Sequence, residues 1–221
     1  IGPIKPYIQS NNYSPIKGFE WNPSFVLDSK ELDPGYYLIE LVNAAHGLFQ
    51  IPFIVKSQEA KRISFIAGVN TWDAYNNYAK KSFYLDSQSI ASVKEFNLAL
   101  NKLLKSNNAD PLPIHLPNAR PFMSTSGDVT DELPEEPHYS HHVRGEWTLL
   151  GFAAEHDIEH SIFTDRDLKF NGKVFDSDII VFNVHSQYWT NEMKLSLEEY
   201  ISKGGKVVFA GGNNIFKEVK Y

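Results

Sequence analysis

The sequence predicts an α/β protein whose mainly parallel sheet carries helices on both faces, preceded by a short β-sandwich-like segment. Up to about residue 60, aromatic and β-branched runs are separated by turn residues, which is typical of strands joined by short turns. From Lys61 onward, apolar runs alternate with segments of helical period, which is typical of parallel strands joined by crossover helices. The chain has 221 residues, of which 42% are hydrophobic, and this is enough for one sizeable core.

Residues 1–58 are expected to form the tail of a β-sandwich-like domain. The predicted strands cover residues 24–28, 36–42 and 50–55, and the segments between them are rich in turn-forming residues. Pro52 has no backbone N–H to donate, so its strand should be an edge strand or should carry a bulge.

The α/β domain is predicted to cover residues 59–221, and its first half should hold one strand, one helix and one long loop. The strand is predicted at residues 62–67. The helix is predicted at residues 88–105, where apolar residues recur at spacings of three and four. Residues 106–144 contain six prolines, so they are expected to cross the surface as a long irregular excursion.

The second half of this domain should repeat strand and helix with short links. The predicted elements are a helix carrying Trp147, Leu150, Phe152 and Ala153, strands at residues 158–163, 176–183 and 206–210, and a helix that Thr190 caps and Gly204-Gly205 ends. The continuous apolar middle of the 176–183 strand implies that both sheet faces are covered. Repeats of this kind require right-handed crossovers, so the strands should be parallel.

Composition and charge exclude several classes of partner. The net charge of −6 lacks the positive surface that binds a phosphate backbone, so no nucleic-acid partner is expected. No apolar stretch is long enough to span a membrane, and no membrane partner is expected. The absence of cysteine excludes disulfides, thiolate metal sites and cysteine nucleophiles. The compartment stays open, with a slight preference for the cytoplasm.

Polar and aromatic residues follow three of the predicted strands. In parallel sheets, ligands bind in the crevice beyond the carboxyl ends of the strands, so a small-molecule substrate or ligand is expected there. The candidates to line this crevice are Asn70, Trp72, Tyr188 and Trp189. For Trp72 and Trp189 an equal alternative is that the ring only covers the end of the sheet.

Six motifs, in the same order, resemble the C-terminal domain of the N,N-dimethylformamidase large-subunit family. The motifs are residues 62–76, 82–84, 120–121, 164–168, 185–189 and 204–213, which include Asn70-Thr-Trp-Asp-Ala-Tyr75, His185-Ser-Gln-Tyr-Trp189 and Gly211-Gly-Asn213. The resemblance extends from about residue 24 to the end of the chain.

This resemblance implies a class I glutamine-amidotransferase-like, flavodoxin-like fold and the iron-dependent hydrolysis of a small amide. In the family, two tyrosines and one glutamate hold the iron, and these positions carry over to Tyr75, Tyr84 and Gln187. His185 and Asn213 match the polar residues that orient the attacked carbonyl or the activated water.

The chain departs from the family pattern at two points. A glutamate supplies negative charge and up to two oxygens, whereas the Gln187 amide supplies one neutral oxygen, so iron should be held less well. Family members also continue well beyond the Gly-Gly-Asn motif, whereas this chain ends eight residues after Asn213. We therefore expect either a truncated chain or an incomplete site, and both further domains and a homo-oligomer stay open.

Two hypotheses for the function follow. The first is a hydrolase-like domain, in which iron is the cofactor and His185 and Asn213 serve catalysis. The second is a non-catalytic module that has kept the fold, lost the metal, and binds a small molecule, a glycan or a protein. The retained His185, Asn213, Tyr75 and Tyr84 favour the first hypothesis, and Gln187 favours the second.

The remaining clusters have structural explanations. His138, His141 and His142 lie in the proline-rich excursion and are expected to be solvated. Asp165 and Asp167 are expected to cap a short helix. The sequence has no Gly-x-Ser-x-Gly, Gly-x-Gly-x-x-Gly or Walker motif, which argues against a serine acyl-enzyme and against nucleotide cofactors.

Overall fold

The computed structural model describes residues 21–23, 25–43, 47–75 and 143–220 of the chain. Contacts divide the chain into two compact units, one of residues 1–30 and 73–123 and the other of residues 31–72 and 124–221. In the first unit the described residues are 21–23, 25–30 and 73–75, so every strand given below belongs to the second unit.

A β-hairpin opens the second unit. Strands β1 (Gly35–Asn43) and β2 (Gly47–Val55) pair antiparallel, and Pro52 lies opposite Leu38. Both strands of a two-stranded sheet are edges, so the expected edge position of Pro52 is confirmed. The strand predicted at residues 24–28 was wrong for residues 25–28, which form no regular structure.

The main sheet has four parallel strands in the order β4-β3-β5-β7. After the hairpin, the strands are β3 (Ile63–Ala67), β4 (Ser161–Thr164), β5 (Ile179–Asn183), β6 (Tyr188–Trp189), β7 (Lys206–Ala210) and β8 (Lys217–Glu218). The α-helices among the described residues are α1 (Val69–Tyr75), α2 (Val143–Glu155) and α3 (Asn191–Ser202). The predicted α/β class with a mainly parallel sheet is confirmed.

The core lies on both faces of this sheet, because successive strand residues point to opposite faces. On one face, Ile180 and Phe182 of β5 pack in a cluster with Leu197 of α3. On the other face, Val181 packs in a cluster with Ala153 of α2. Helices therefore cover both faces of β5, as its continuous apolar run predicts.

Local signals account for the ends of α3. The Thr190 hydroxyl oxygen accepts a hydrogen bond from the Met193 backbone N–H at 3.1 Å, which confirms the predicted cap. Gly204 follows the helix with a φ of 96°, a conformation that favours glycine.

Several sequence predictions differ from the structure or lie outside the part that it describes. The helix at residues 88–105 and residues 106–142 of the excursion lie outside the described residues. The short helix α1 was not predicted, and Phe152, one of the apolar residues of α2, is exposed. No helix of the described residues has the length and apolar character needed to cross a membrane.

Candidate functional site

The carboxyl ends of β3, β5 and β7 lie at one edge of the sheet, because these strands are adjacent and parallel. Hydrogen bonds join the segments that follow them. The Gln187 N–H donates to Thr71 Oγ1 at 3.0 Å, and the Ser186 N–H donates to Asn214 Oδ1 at 3.2 Å. We call the segments 68–72, 184–187 and 211–214 the rim; it brings together residues that are far apart in the sequence.

The backbone of the rim is strained directly after β5. Val184 has a φ of 59°, a left-handed conformation that a β-branched residue rarely adopts. Its carbonyl oxygen lies where only a glycine can approach, since a Cβ on Gly211 would come within 1.7 Å of it. Strained backbone of this kind concentrates at functional sites, where the surrounding structure holds it in place.

The two predicted catalytic residues belong to neighbouring segments of the rim. His185 Nδ1 lies 2.7 Å from the Gly212 carbonyl oxygen, which can only accept, so Nδ1 carries the hydrogen. In the neutral ring Nε2 is then the unprotonated nitrogen, the form that can take a proton from water. Asn213 follows Gly212 directly, is exposed, and has a left-handed φ of 53°.

Gln187 is buried, with 3% of its surface exposed, and its backbone is fixed on both sides. In addition to the N–H bond to Thr71, its carbonyl oxygen accepts from the Phe216 N–H at 2.8 Å and from the Lys217 N–H at 3.0 Å. The position of residue 187 therefore depends on main-chain hydrogen bonds and on Thr71.

The four predicted crevice-lining side chains are all buried. Asn70 donates from Nδ2 to the Tyr188 carbonyl oxygen at 3.2 Å, which ties α1 to β6. Trp189 lies in the core, with its ring 5.1 Å from that of Phe182 and its Nε1 donating to the Ser186 carbonyl oxygen at 2.7 Å. These aromatic rings cover the end of the sheet and offer little open surface to a ligand.

Glu146 of α2 is a residue that the sequence reasoning missed. Its side chain is fully buried and accepts three hydrogen bonds. Oε2 accepts from the Tyr36 hydroxyl at 2.7 Å, and Oε1 accepts from Trp72 Nε1 at 3.0 Å and from the Gly68 N–H at 3.1 Å. One carboxyl group therefore joins the hairpin, helix α2 and the turn between β3 and α1.

Burial raises the pKa of Glu146 from its ordinary value of 4.5 to about 8. The three hydrogen bonds oppose this effect, because they favour the charged form, but they do not cancel it. The pKa of the Tyr36 hydroxyl is raised well above 10, first by burial and then by the charge of Glu146, with a smaller effect from the charge of Asp165. Tyr36 therefore stays protonated beside Glu146.

A sequence signal for Glu146 exists in its helical spacing. Val143, Glu146 and Ala153 lie on one face of α2 by the helical period, and all three are buried. An acidic residue on the buried face of a helix is costly unless it has partners, and this marks it as a residue with a specific role. The prediction of this helix named only its apolar residues Trp147, Leu150, Phe152 and Ala153, and not Glu146.

Asp165 is a second buried carboxylate near the rim. Its Oδ2 accepts from the Asn70 N–H at 2.9 Å, so it caps α1 rather than the 3-10 turn (Asp165–Asp167) to which it belongs. Asp167 bonds within that turn, where its Oδ2 accepts from the Thr164 N–H at 2.9 Å and from the Thr164 hydroxyl at 2.8 Å. The expected structural role of these aspartates agrees with these bonds.

Of the predicted tyrosine ligands, Tyr75 is the last residue of α1 and is buried, but it belongs to the first compact unit. Tyr84 lies outside the described residues, as do His138, His141 and His142. Within the described ranges, no three His, Cys, Asp or Glu side chains gather as a metal site would require.

A surface cavity of about 770 Å³ lies away from the rim. It is lined at the amino-terminal ends of β5 and β7 by Ser177, Asp178, Tyr200, Gly205 and Lys206, among others, and includes no rim residue. Ligands of parallel sheets bind at the opposite, carboxyl ends, so we assign the candidate site to the rim.

Comparison with known proteins confirms the resemblance seen in the six motifs. A search of curated proteins gave no significant match. The sequence model of the family described as N,N-dimethylformamidase beta subunit-like, C-terminal, matches residues 5–221, and the chain therefore belongs to that family.

Proposed function

We propose that this chain is a hydrolase-like domain that acts on the C–N bond of a small amide, with its site at the rim. The family supports a hydrolase, and its description names N,N-dimethylformamide as the substrate class to test first. The observation that carries the proposal is the contact of His185 with Gly212, which holds a histidine in a defined tautomer next to Asn213.

The proposed chemistry assigns a role to each of these two side chains. His185, protonated at Nδ1, takes a proton from water at Nε2 as the water attacks the amide carbonyl, and it gives this proton to the amine nitrogen as the C–N bond breaks. The exposed Asn213 amide can donate a hydrogen bond to the oxygen on which negative charge develops. The left-handed backbone at Val184, directly before His185, supports a role beyond packing.

Iron is part of the proposal as a weakly held cofactor. Tyr75 and Tyr84 would supply two phenolate oxygens, and Gln187 would supply one neutral carbonyl oxygen. Bound iron would polarise the amide carbonyl as a Lewis acid. The donor set fits iron less well than one containing a carboxylate, because Gln187 adds no charge.

The finer fold is also a proposal. With β3 counted as the first strand of the sheet, the order β4-β3-β5-β7 corresponds to 2-1-3-4, the order found in flavodoxin-like sheets. In that topology the switch point lies between the first and third strands, here β3 and β5. The rim segments at Gly68 and His185 follow these two strands, which supports a class I glutamine-amidotransferase-like fold.

The test measures the release of amine and acid from N,N-dimethylformamide and from formamide by the purified protein, with and without added iron. We expect hydrolysis that is lost in His185→Asn and kept in the matched control His156→Asn, which changes an exposed histidine at the end of α2. A visible absorption band and bound iron should be absent in Tyr75→Phe, and Gln187→Glu should raise the iron content. Equal hydrolysis by His185→Asn and the native protein would refute the assignment.

A second candidate function is supported by Gln187, which weakens the metal site. A non-catalytic module would bind its ligand at the exposed part of the rim, since Trp72, Tyr188 and Trp189 are buried. A colourless protein that contains no iron after incubation with iron, and that hydrolyses neither amide, would favour this function.

A further inference from the structure

We propose that Glu146 is a positioning residue of the candidate site, which fixes the turn between β3 and α1 and, through that turn, the backbone of His185 and Gln187. The inference deepens the proposed function and rests on it for its kinetic consequence. Its structural part concerns hydrogen bonds of this chain alone.

The Glu146 side chain accepts hydrogen bonds from the turn and from the first turn of α1. Oε1 accepts both the Gly68 N–H, at the first residue after β3, and the Trp72 Nε1–H, one turn later in α1. These two bonds join the start of α1 and a residue one turn later to the same oxygen atom. The backbone carbonyl of Glu146 also accepts from Asn183 Nδ2 at 2.9 Å, so the same residue is tied to the end of β5.

Residues 68–72 contact the neighbouring rim segment 184–187. Thr71, fully buried in the first turn of α1 directly after Gly68, accepts the Gln187 N–H at 3.0 Å. Gly68 lies against the next segment, since a Cβ built on it would come within 3.0 Å of the His185 carbonyl oxygen and within 3.4 Å of Glu146 Oε1. A displaced turn would therefore move the backbone on which both His185 and Gln187 are placed.

The acceptor oxygens of Glu146, rather than its charge, position Gly68 and Trp72. The Gly68 N–H and the indole N–H are donors only, and a carboxylic acid, a carboxylate and an amide all offer them an oxygen. Glutamine at position 146 could keep both bonds and donate its NH₂ to the Tyr36 oxygen. Methionine would fill a similar volume without an acceptor, so these two variants separate hydrogen bonding from packing.

The structural test measures amide hydrogen exchange of the full chain by NMR. The exchange rate of the Gln187 amide is compared with that of the Val181 amide of β5, which serves as the internal reference. In Glu146→Met and in Thr71→Val, we expect exchange at Gln187 to accelerate at least about tenfold relative to Val181. Glu146→Gln should keep the native ratio. The control Tyr200→Phe, which removes a buried hydrogen bond to the Ser177 carbonyl oxygen, should keep it too.

If the ratio of exchange rates at Gln187 and Val181 stayed unchanged in Glu146→Met or in Thr71→Val, the proposal would be overturned. It would also be overturned if Glu146→Gln raised this ratio as much as Glu146→Met does. Thr71→Val keeps the test decisive if Glu146→Met does not fold. Where the protein hydrolyses an amide, Glu146→Met should lower kcat at least about tenfold with KM changed less than about threefold, and Glu146→Gln should restore kcat. A native protein without hydrolysis would refute the proposed function, whereas the exchange ratios would still decide the role of Glu146.

Discussion

The raised pKa of Glu146 predicts that Glu146→Gln stabilises the protein relative to the native chain as the pH rises. The folded state holds the Glu146 proton up to about pH 8, whereas an unfolded glutamate releases it near 4.5. Between these values the folded state binds more protons than the unfolded state, so the native protein loses stability as the pH rises. Glutamine at this position does not titrate and does not contribute to this loss.

The size of the effect follows from the two pKa values. Each pKa unit corresponds to about 1.4 kcal/mol, and the group is fully buried, so solvent screens it little. Between pH 5 and pH 9, the free energy of unfolding of Glu146→Gln minus that of the native protein should rise by about 4 kcal/mol. The pKa of Tyr36 lies well above this pH range because of burial, so Tyr36 stays protonated and adds nothing to the difference.

The assay is equilibrium urea unfolding of both proteins at several pH values from 5 to 9. Glu146→Ala serves as the comparison, because it leaves the Tyr36 hydroxyl, the Trp72 indole and the Gly68 N–H without their acceptor. It should be less stable than Glu146→Gln by about 3 kcal/mol or more at every pH, since neither variant titrates at position 146 and each unsatisfied buried donor costs about 1–3 kcal/mol. A free-energy difference for Glu146→Gln that stays constant or falls with pH would show that Glu146 is ionised in the folded protein, and would refute the reasoning.

Three further predictions concern the rim and its neighbours. Gly211→Ala should lower the free energy of unfolding by more than about 2 kcal/mol in urea, because a Cβ there would meet the Val184 carbonyl oxygen; a neutral effect would contradict the close approach. Val184→Gly should raise it by about 1 kcal/mol by relieving the left-handed backbone, offset in part by lost packing, and a clear decrease would contradict the assigned strain. Thr190→Ala should lower the thermal midpoint through a loss of about 1 kcal/mol at the cap of α3, whereas Thr148→Ala, at an exposed position within α2, should change it less.

The sequence predicted the α/β sheet well because its signals are local. The apolar run of β5 and the Thr190 cap each lie within one short stretch, and the structure places both as expected. The meeting of the rim segments was also inferable in outline, because parallel strands deliver their ends to one edge of the sheet.

Glu146 could not be assigned in the same way, because its role arises from partners far apart in the sequence. Tyr36 and Gly68 lie 110 and 78 residues away from it. The only local signal was an acidic residue on the buried face of a helix. Strain at Val184 is likewise invisible in sequence, since valine ordinarily favours strands.

Main-chain hydrogen bonds from residues 215–219 hold the backbone of Ser186, Gln187 and Trp189 through their carbonyl oxygens, whatever side chain residue 187 carries. The backbone position of residue 187 is therefore set independently of its side chain. Because Gln187 is only 3% exposed, a replacement at position 187 has to fit the same volume, and an introduced charge needs a partner. Position 187 is therefore a place where the chemistry of one donor can be changed by substitution while its backbone partners stay the same.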